Sequence, residues 1–290
     1  MKRFFLFLAA FTLMLCGCGQ REYAQVAATT QPVWEMTVQL CAGTDLSVTR
    51  LITESVSCLH DYSLNVRQVR AVEAAEVVVI SGAGLEEFME DLLIGKNTID
   101  CSAEIPLLEG HCHSHEEADH DTHHHDLDSH IWLSPNNAKQ MASNICTGLI
   151  KAYPQYAPQL EKNLIELLSE LDDLQRYADE SLANLACRDL ITFHDGFAYL
   201  ADAYNLNILE AVEEESGSEA SAAELIHLIH EVKEHNLPAI FTETLGSVSA
   251  ARIISAETGA KVFALDMAMD TGSYMDAMYH NINTLKEALG

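Results

Sequence analysis

PQLEKNLIELLSELDDLQRYADESLANL, residues 158–185, carries a sustained helical period. Leu160, Leu164, Leu167, Leu168, Leu171 and Leu174 fall on one stripe, the apolar face of an amphipathic helix. At ~1.5 Å per residue this helix would be about 40 Å long, more than one small domain needs. It reads as a bridge between two domains; a merely long core helix is the alternative. The chain's 290 residues set the same expectation of about two domains.

Upstream of the bridge, strand-like and helix-like segments alternate. QVAATT (25–30) predicts a first strand, and residues 32–40 a helix stopped by Gly43. DLSVTRLI (45–52) is strand-like, SLNVRQVRAVEAA (63–75) helical, EVVVIS (76–81) a buried strand and LEEFMEDLL (85–93) another helix. Ser134-Pro135 is a helix start, Ser as N-cap and Pro at the first position. Downstream the alternation resumes. Strands DLITF (189–193), LNILEAV (206–212), AIFTET (239–244) and KVFALD (261–266) are interleaved with helices at 196–204, 221–236, 247–258 and 274–289. The second of these helices opens on a capping-box pattern, Ser221 with Glu224, and the next is closed by Gly259. Two α/β domains with parallel sheets follow from this order.

A formal charge of −28 argues against nucleic acid and against a basic membrane-surface patch. It suits a protein that attracts cations. The N-terminus MKRFFLFLAAFTLMLCGCGQ has a basic start and an apolar run too short to span a bilayer, the pattern of a secretory signal. Its end, Leu15-Cys16-Gly17-Cys18, resembles a bacterial lipobox with Cys18 lipidated and Cys16 the minor alternative. Cys41, Cys58, Cys101, Cys112, Cys146 and Cys187 remain after it. An extracytoplasmic site permits disulfides among them, and no CxxC pair suggests a zinc knuckle.

Between Leu108 and Asn137 the chain reads LLEGHCHSHEEADHDTHHHDLDSHIWLSPN. His111, His113, His115, His120, His123, His124, His125 and His130 stand there among acids, with no Lys or Arg. Such a tract is a compositional metal signal, and neutral imidazole suits zinc, copper, nickel and iron. A solvated acidic loop with a histidine bias is the plainer reading. A tag would sit at a terminus, whereas this tract leads into an apolar segment.

Outside the tract, several ligand-type residues stand at predicted strand ends, where open α/β sheets place their ligands. His60 follows the second strand, His194 closes DLITF, and Asp266 closes KVFAL. His130 leaves the tract beside Ile131-Trp132. Three imidazoles and one carboxylate would complete a tetrahedral zinc site, with Zn–N about 2.0–2.1 Å. Glu243, which ends AIFTET, is the rival to Asp266; Cys58 is an extra or substitute ligand. His227, His230, His235 and His280 lie on predicted helices and read as surface residues.

Three segments carry a family resemblance: LHDYSLNVRQVRAVEAAEVVVISGAGLE, DSHIWLSPNNAKQMASNI and ITFHDGFAYLADAY. Together they resemble the zinc/manganese solute-binding lipoproteins of bacterial ABC importers, over essentially the whole mature chain. The resemblance implies two α/β lobes joined by a rigid long helix (the cluster A-I type), with metal held between them. It implies His60, His130, His194 and Asp266 as ligands, and a His-rich loop of the kind frequent in zinc-selective members. Manganese-selective relatives generally carry Glu where this chain has His194, and a third imidazole favours Zn2+ over Mn2+. The chain departs from the family where Thr-Glu-Ser-Val-Ser-Cys-Leu (53–59) replaces Pro-Gly-x-(Asp/Glu)-Pro, and where no Pro-Leu follows Asp266.

The expected organisation is a signal peptide (1–17), an N-terminal lobe (18–155) with its His-rich loop (109–129), a linking helix (156–186) and a C-terminal lobe (187–290). The expected function is capture of Zn2+ by a monomeric, lipid-anchored extracytoplasmic protein that hands it to a membrane permease. Loop histidines would form a weaker collecting site, and Glu243 would support a ligand histidine. A zinc hydrolase using Glu243 or Asp266 as general base is one rival, though no HExxH motif supports it. A metal buffer or adhesin on the same fold is the other.

Overall fold

Strands β1 (Val26–Ala28), β2 (Val48–Arg50), β3 (Val77–Ile80) and β4 (Thr98–Asp100) form a parallel sheet in the order β2-β1-β3-β4. The computed structural model describes residues 23–55, 59, 62–110, 127–212, 220–270 and 272–290. Helices α1 (Gln31–Leu40), α2 (Val66–Ala74) and the single turn α3 (Glu90–Leu93) fall between these strands. After them come α4 (Pro135–Ala152) and α5 (Ala157–Leu182).

The second half repeats the plan. Strands β5 (Asp189–Thr192), β6 (Asn207–Ala211), β7 (Ala239–Glu243) and β8 (Lys261–Leu265) form a parallel sheet ordered β6-β5-β7-β8. Its helices are α6 (Ala198–Ala203), α7 (Ala222–Glu234), α8 (Ser249–Thr258) and α9 (Tyr274–Leu289). In both sheets the winding reverses between the first and third strands. Open parallel sheets take ligands at that switch, beyond the carboxyl ends of the strands.

Helix α5 spans 26 residues and packs on α1 and α4 from the first half and on α9 from the second. Leu160, Leu167, Leu171, Leu174 and Leu182 are buried along it, each contributing about 1.5–3 kcal/mol. Its stripe also holds a polar residue. Asn163 donates to the carbonyls of Leu40 and Ala42 at 2.7 and 2.8 Å, satisfying acceptors that α1 leaves open at its end. One apolar cluster runs from Val78 of β3 through Leu174 to Leu265 of β8, so the halves share a core. A smaller cluster, with Leu228, Val232 and Ile254, lies under α7 and α8.

Most predicted elements form, with two differences. Strand β4 was not expected, because Ile99 is its one apolar residue; it forms by pairing with β3 and by close packing on α4, where a Cβ on Gly148 would meet Ile99 at 2.5 Å. LEEFMEDLL breaks into a 3-10 turn (Glu87–Met89) and the short α3. There the Glu86 carboxylate turns inward and accepts from Thr29 Oγ1, Ser81 N and Gly82 N at 2.6, 2.7 and 3.0 Å. Helix α1 ends at Leu40 as expected, with Cys41 as its cap, ahead of Gly43. The expected caps at Ser134, Ser221 with Glu224, and Gly259 are all present. Cys41, Cys101, Cys146 and Cys187 are free thiols; Cys58 and Cys112 lie outside the described residues.

Candidate metal centre

Two imidazoles meet where the sheets' carboxyl ends approach one another. Beyond β5, Phe193 N bonds to Phe241 O at 2.8 Å, and His194-Asp195-Gly196 then turns the chain towards α6. His130 arrives from the other half. Asp128 N bonds to Leu108 O at 2.9 Å, and an antiparallel bridge joins Glu109 to Leu127, closing the base of segment 111–126. A 3-10 turn (Ile131–Leu133) then leads into α4. The His130 and His194 rings stand 5.3 Å apart, centroid to centroid, at 85°. Two imidazoles sharing a tetrahedral zinc at about 2.0–2.1 Å would place their centroids roughly 5 Å apart, so the pair is spaced for one ion.

The ring of His130 is fixed from behind. Asp128 Oδ1 accepts from His130 N at 2.8 Å and from its ring Nδ1 at 2.7 Å. A carboxylate only accepts, so Nδ1 carries the proton and Nε2 keeps the lone pair for a ligand bond. Gly196 lets the two rings close up. A Cβ there would lie 2.6 Å from Met267 Cε, 2.7 Å from His194 Cδ2 and 2.9 Å from His130 Cε1.

Glu243 ends β7, next to β5 at the winding switch, and is buried. Its Oε2 lies 3.7 Å from His194 Nδ1, an ion-pair distance too long for a hydrogen bond. Burial, and then the Asp266 charge, pushes the Glu243 carboxyl up to about 7. Asp266 follows β8 and is only half-buried; both acids line a small cleft with Met267 and Met269. Buried Asn281 of α9 grips the backbone of Asp266 twice, accepting from its N at 2.7 Å and donating to its O at 2.8 Å. Asp266 Oδ1 accepts from Ala268 N at 2.7 Å.

The structure thus gathers His130, His194, Glu243 and Asp266 around one region. His60, Cys58, His111, His113, His115, His120, His123, His124, His125 and Cys18 lie outside the described residues. Among the described residues, the one trio whose ligand-type atoms all lie within 4.8 Å of one another is His230, Glu231 and Glu234 on the surface of α7. Its spacing is that of ordinary exposed helix ion pairs. His227 pairs with Glu210 at 3.1 Å and His280 bonds to Ala264 O at 3.1 Å, as surface residues do. Asp128, Gly196 and Asn281 were not singled out from the sequence. Asp128 was signalled by its Asp-x-His spacing, and Asn281 by a polar residue on the apolar face of its helix; Gly196 had no signal beyond its place in the turn that follows a strand.

The family model described as zinc-uptake complex component A periplasmic, ZnuA, matches residues 26–288. The chain belongs to the ZnuA family. It is 30% identical over 309 residues to the zinc-binding lipoprotein AdcA of Streptococcus pneumoniae (strain ATCC BAA-255 / R6), covering 99% of this chain and 61% of that protein. It therefore spans less than two thirds of AdcA. To the high-affinity zinc uptake system protein ZnuA of Bacillus subtilis (strain 168) it is 29% identical over 307 residues, covering 97% of this chain and 96% of that protein. A crystal structure of ZnuA has a TM-score of 0.77 to this fold at 30% identity, covering 92% of this chain and all of that chain. The two-sheet architecture with its long helix is thus that of the ZnuA family.

Proposed function

We propose that this chain captures Zn2+ outside the cytoplasm and delivers it to the permease of a metal ABC importer, by binding and not by turnover. Membership of a zinc-uptake family and the zinc-binding names of AdcA and the Bacillus ZnuA support this reading. The observation that carries it is the perpendicular His130–His194 pair, 5.3 Å apart, with Asp128 holding one ring so that its Nε2 is available.

His60, His130, His194 and Asp266 form the proposed ligand set, three nitrogens and one oxygen. Neutral imidazoles with a single carboxylate favour zinc over manganese, which prefers more oxygen. Glu243 stands behind His194, with Cys58 the alternative near His60. The seven histidines from His111 to His125 make a weaker collecting site. Lipidation at Cys18 would hold a monomeric protein on the outer face of the cell membrane. Among the described residues, no helix is long and apolar enough to cross a membrane. The proposed boundaries are 1–17 for the signal, 18–155 and 187–290 for the lobes, and 156–186 for the link.

Metal analysis by mass spectrometry of protein purified without added metal tests this directly. Zinc should be bound, and Mn2+ should not displace it. A protein that returned manganese, or that lost no zinc affinity on His130→Ala with His194→Ala, would overturn the reading.

A further inference from the structure

Residues 267–270, 272 and 273 belong to no helix or strand, so their backbone groups need partners from elsewhere. Most of the partners shown come from the other half of the molecule. Trp132 Nε1 donates to Met267 O at 2.8 Å, and the Arg50 guanidinium reaches Met269 O and Asp270 O, both at 3.3 Å. Gln31 Nε2 donates to Gly272 O at 2.6 Å. Glu35 accepts from Ser273 Oγ at 3.2 Å and from Tyr274 N at 2.8 Å. Ser273 makes no capping bond of its own at the start of α9, so a carboxylate from α1 supplies the cap and complements the helix dipole.

Three of these four side chains, Arg50, Gln31 and Glu35, are themselves linked. Arg50 also donates to Gln31 Oε1 and to Ile52 O, and Gln31 Nε2 donates to Glu35 Oε2 at 3.1 Å. Within the gripped segment, Ala268 adopts a left-handed backbone, φ 56°, while its N–H holds Asp266 Oδ1. A non-glycine residue keeps that conformation only where its surroundings over-determine it.

We propose that Arg50, Gln31 and Glu35 are positioning residues for metal capture: from the N-terminal half they clamp the segment after β8 and so set where the Asp266 carboxylate stands. This rests on the reading of Asp266 as a zinc ligand. None of the three touches the metal. Their loss leaves Asp266 chemically intact but no longer placed.

The test is a double-mutant cycle read by competition against a zinc chelator and by the zinc dissociation rate. Arg50→Gln should weaken zinc binding about 10–100-fold and speed release, the range usual for groups that orient a ligand. Arg50→Lys should recover part of the loss, and Glu35→Gln should give a smaller loss in the same direction. In an Asp266→Asn background, adding Arg50→Gln should change affinity by about twofold or less, because no carboxylate remains to be placed. Wild-type affinity in both Arg50→Gln and Glu35→Gln, with Asp266→Asn weakened, would overturn the clamp and leave the ligand reading standing. So would losses at Arg50 and Asp266 that simply multiply. Wild-type affinity in Asp266→Asn would remove the ligand reading itself. Should Arg50→Gln fail to fold, Glu35→Gln decides the same question.

Discussion

One oxygen of Asp128 accepts both the backbone N–H and the ring Nδ1–H of His130, at 2.8 and 2.7 Å. The carboxylate is buried, and its second oxygen takes no hydrogen bond among the described residues. It is therefore committed to fixing this imidazole's tautomer and direction. Asp128→Asn keeps the shape but offers an amide that can present N–H to Nδ1, reversing the tautomer and placing the proton on Nε2. Zinc affinity should fall about 10–100-fold, with the fold retained. Competition titration measures the first and circular dichroism the second; unchanged affinity would mean that His130 needs no such support.

How far the sequence revealed this arrangement depends on whether the information is local. Helix α5 and the alternation of strands and helices were legible, because period, length and caps are properties of neighbouring residues. Strand β4 was not, since its single Ile99 makes no pattern and its pairing with β3 supplies the strand. His130 and His194 could be chosen from their places at segment ends. Asn281 and Arg50 could not: their partners, Asp266 and residues 269–270, become neighbours only in the folded chain.

Glu86 predicts a pH dependence of stability. Burial pushes its carboxyl up to about 7 from an ordinary 4.5, against three donors that pull the other way; the Asp100 charge adds to the rise. The folded state therefore holds this proton more tightly than the unfolded one. Its stabilising contribution is complete below about pH 4.5 and is lost as pH rises through about 7, on the order of 3 kcal/mol over that window. Glu86→Gln should flatten that decline relative to wild type. Urea midpoints from pH 4.5 to 8 give the comparison, and parallel curves would show that Glu86 does not titrate there.

Gly196 predicts a binding defect from one added methyl group. Its Cβ would fall within 3 Å of atoms on both imidazoles and on Met267, so both rings must separate. Overpacking of this kind typically costs about 1–3 kcal/mol. Gly196→Ala should weaken zinc binding well beyond any shift in the melting temperature of the metal-free protein. Adding Met267→Ala should recover only part of the loss, because the Met267 methyl is flexible and the rings are not. Full recovery would place the clash on Met267 alone.

The remaining prediction grades the ligands. His194 is in ring contact with His130 across the junction of the two halves, and no neighbouring imidazole among the described residues stands ready to replace it. Asp266 is half-exposed into the cleft, with its backbone gripped by Asn281, which suits a carboxylate presented to an ion. Glu243 is buried beside His194 Nδ1 at 3.7 Å, which suits a group acting through that ring. His194→Ala should accordingly damage zinc binding most, Asp266→Ala should weaken it strongly, and Glu243→Ala should weaken it less, within the 10–100-fold typical of outer partners. Competition titrations on the three variants, each checked for folding, measure the order. If Glu243→Ala were as damaging as His194→Ala while Asp266→Ala bound normally, the two carboxylates would exchange roles: Glu243 would complete the zinc site, and Asp266 would serve to tune its charge.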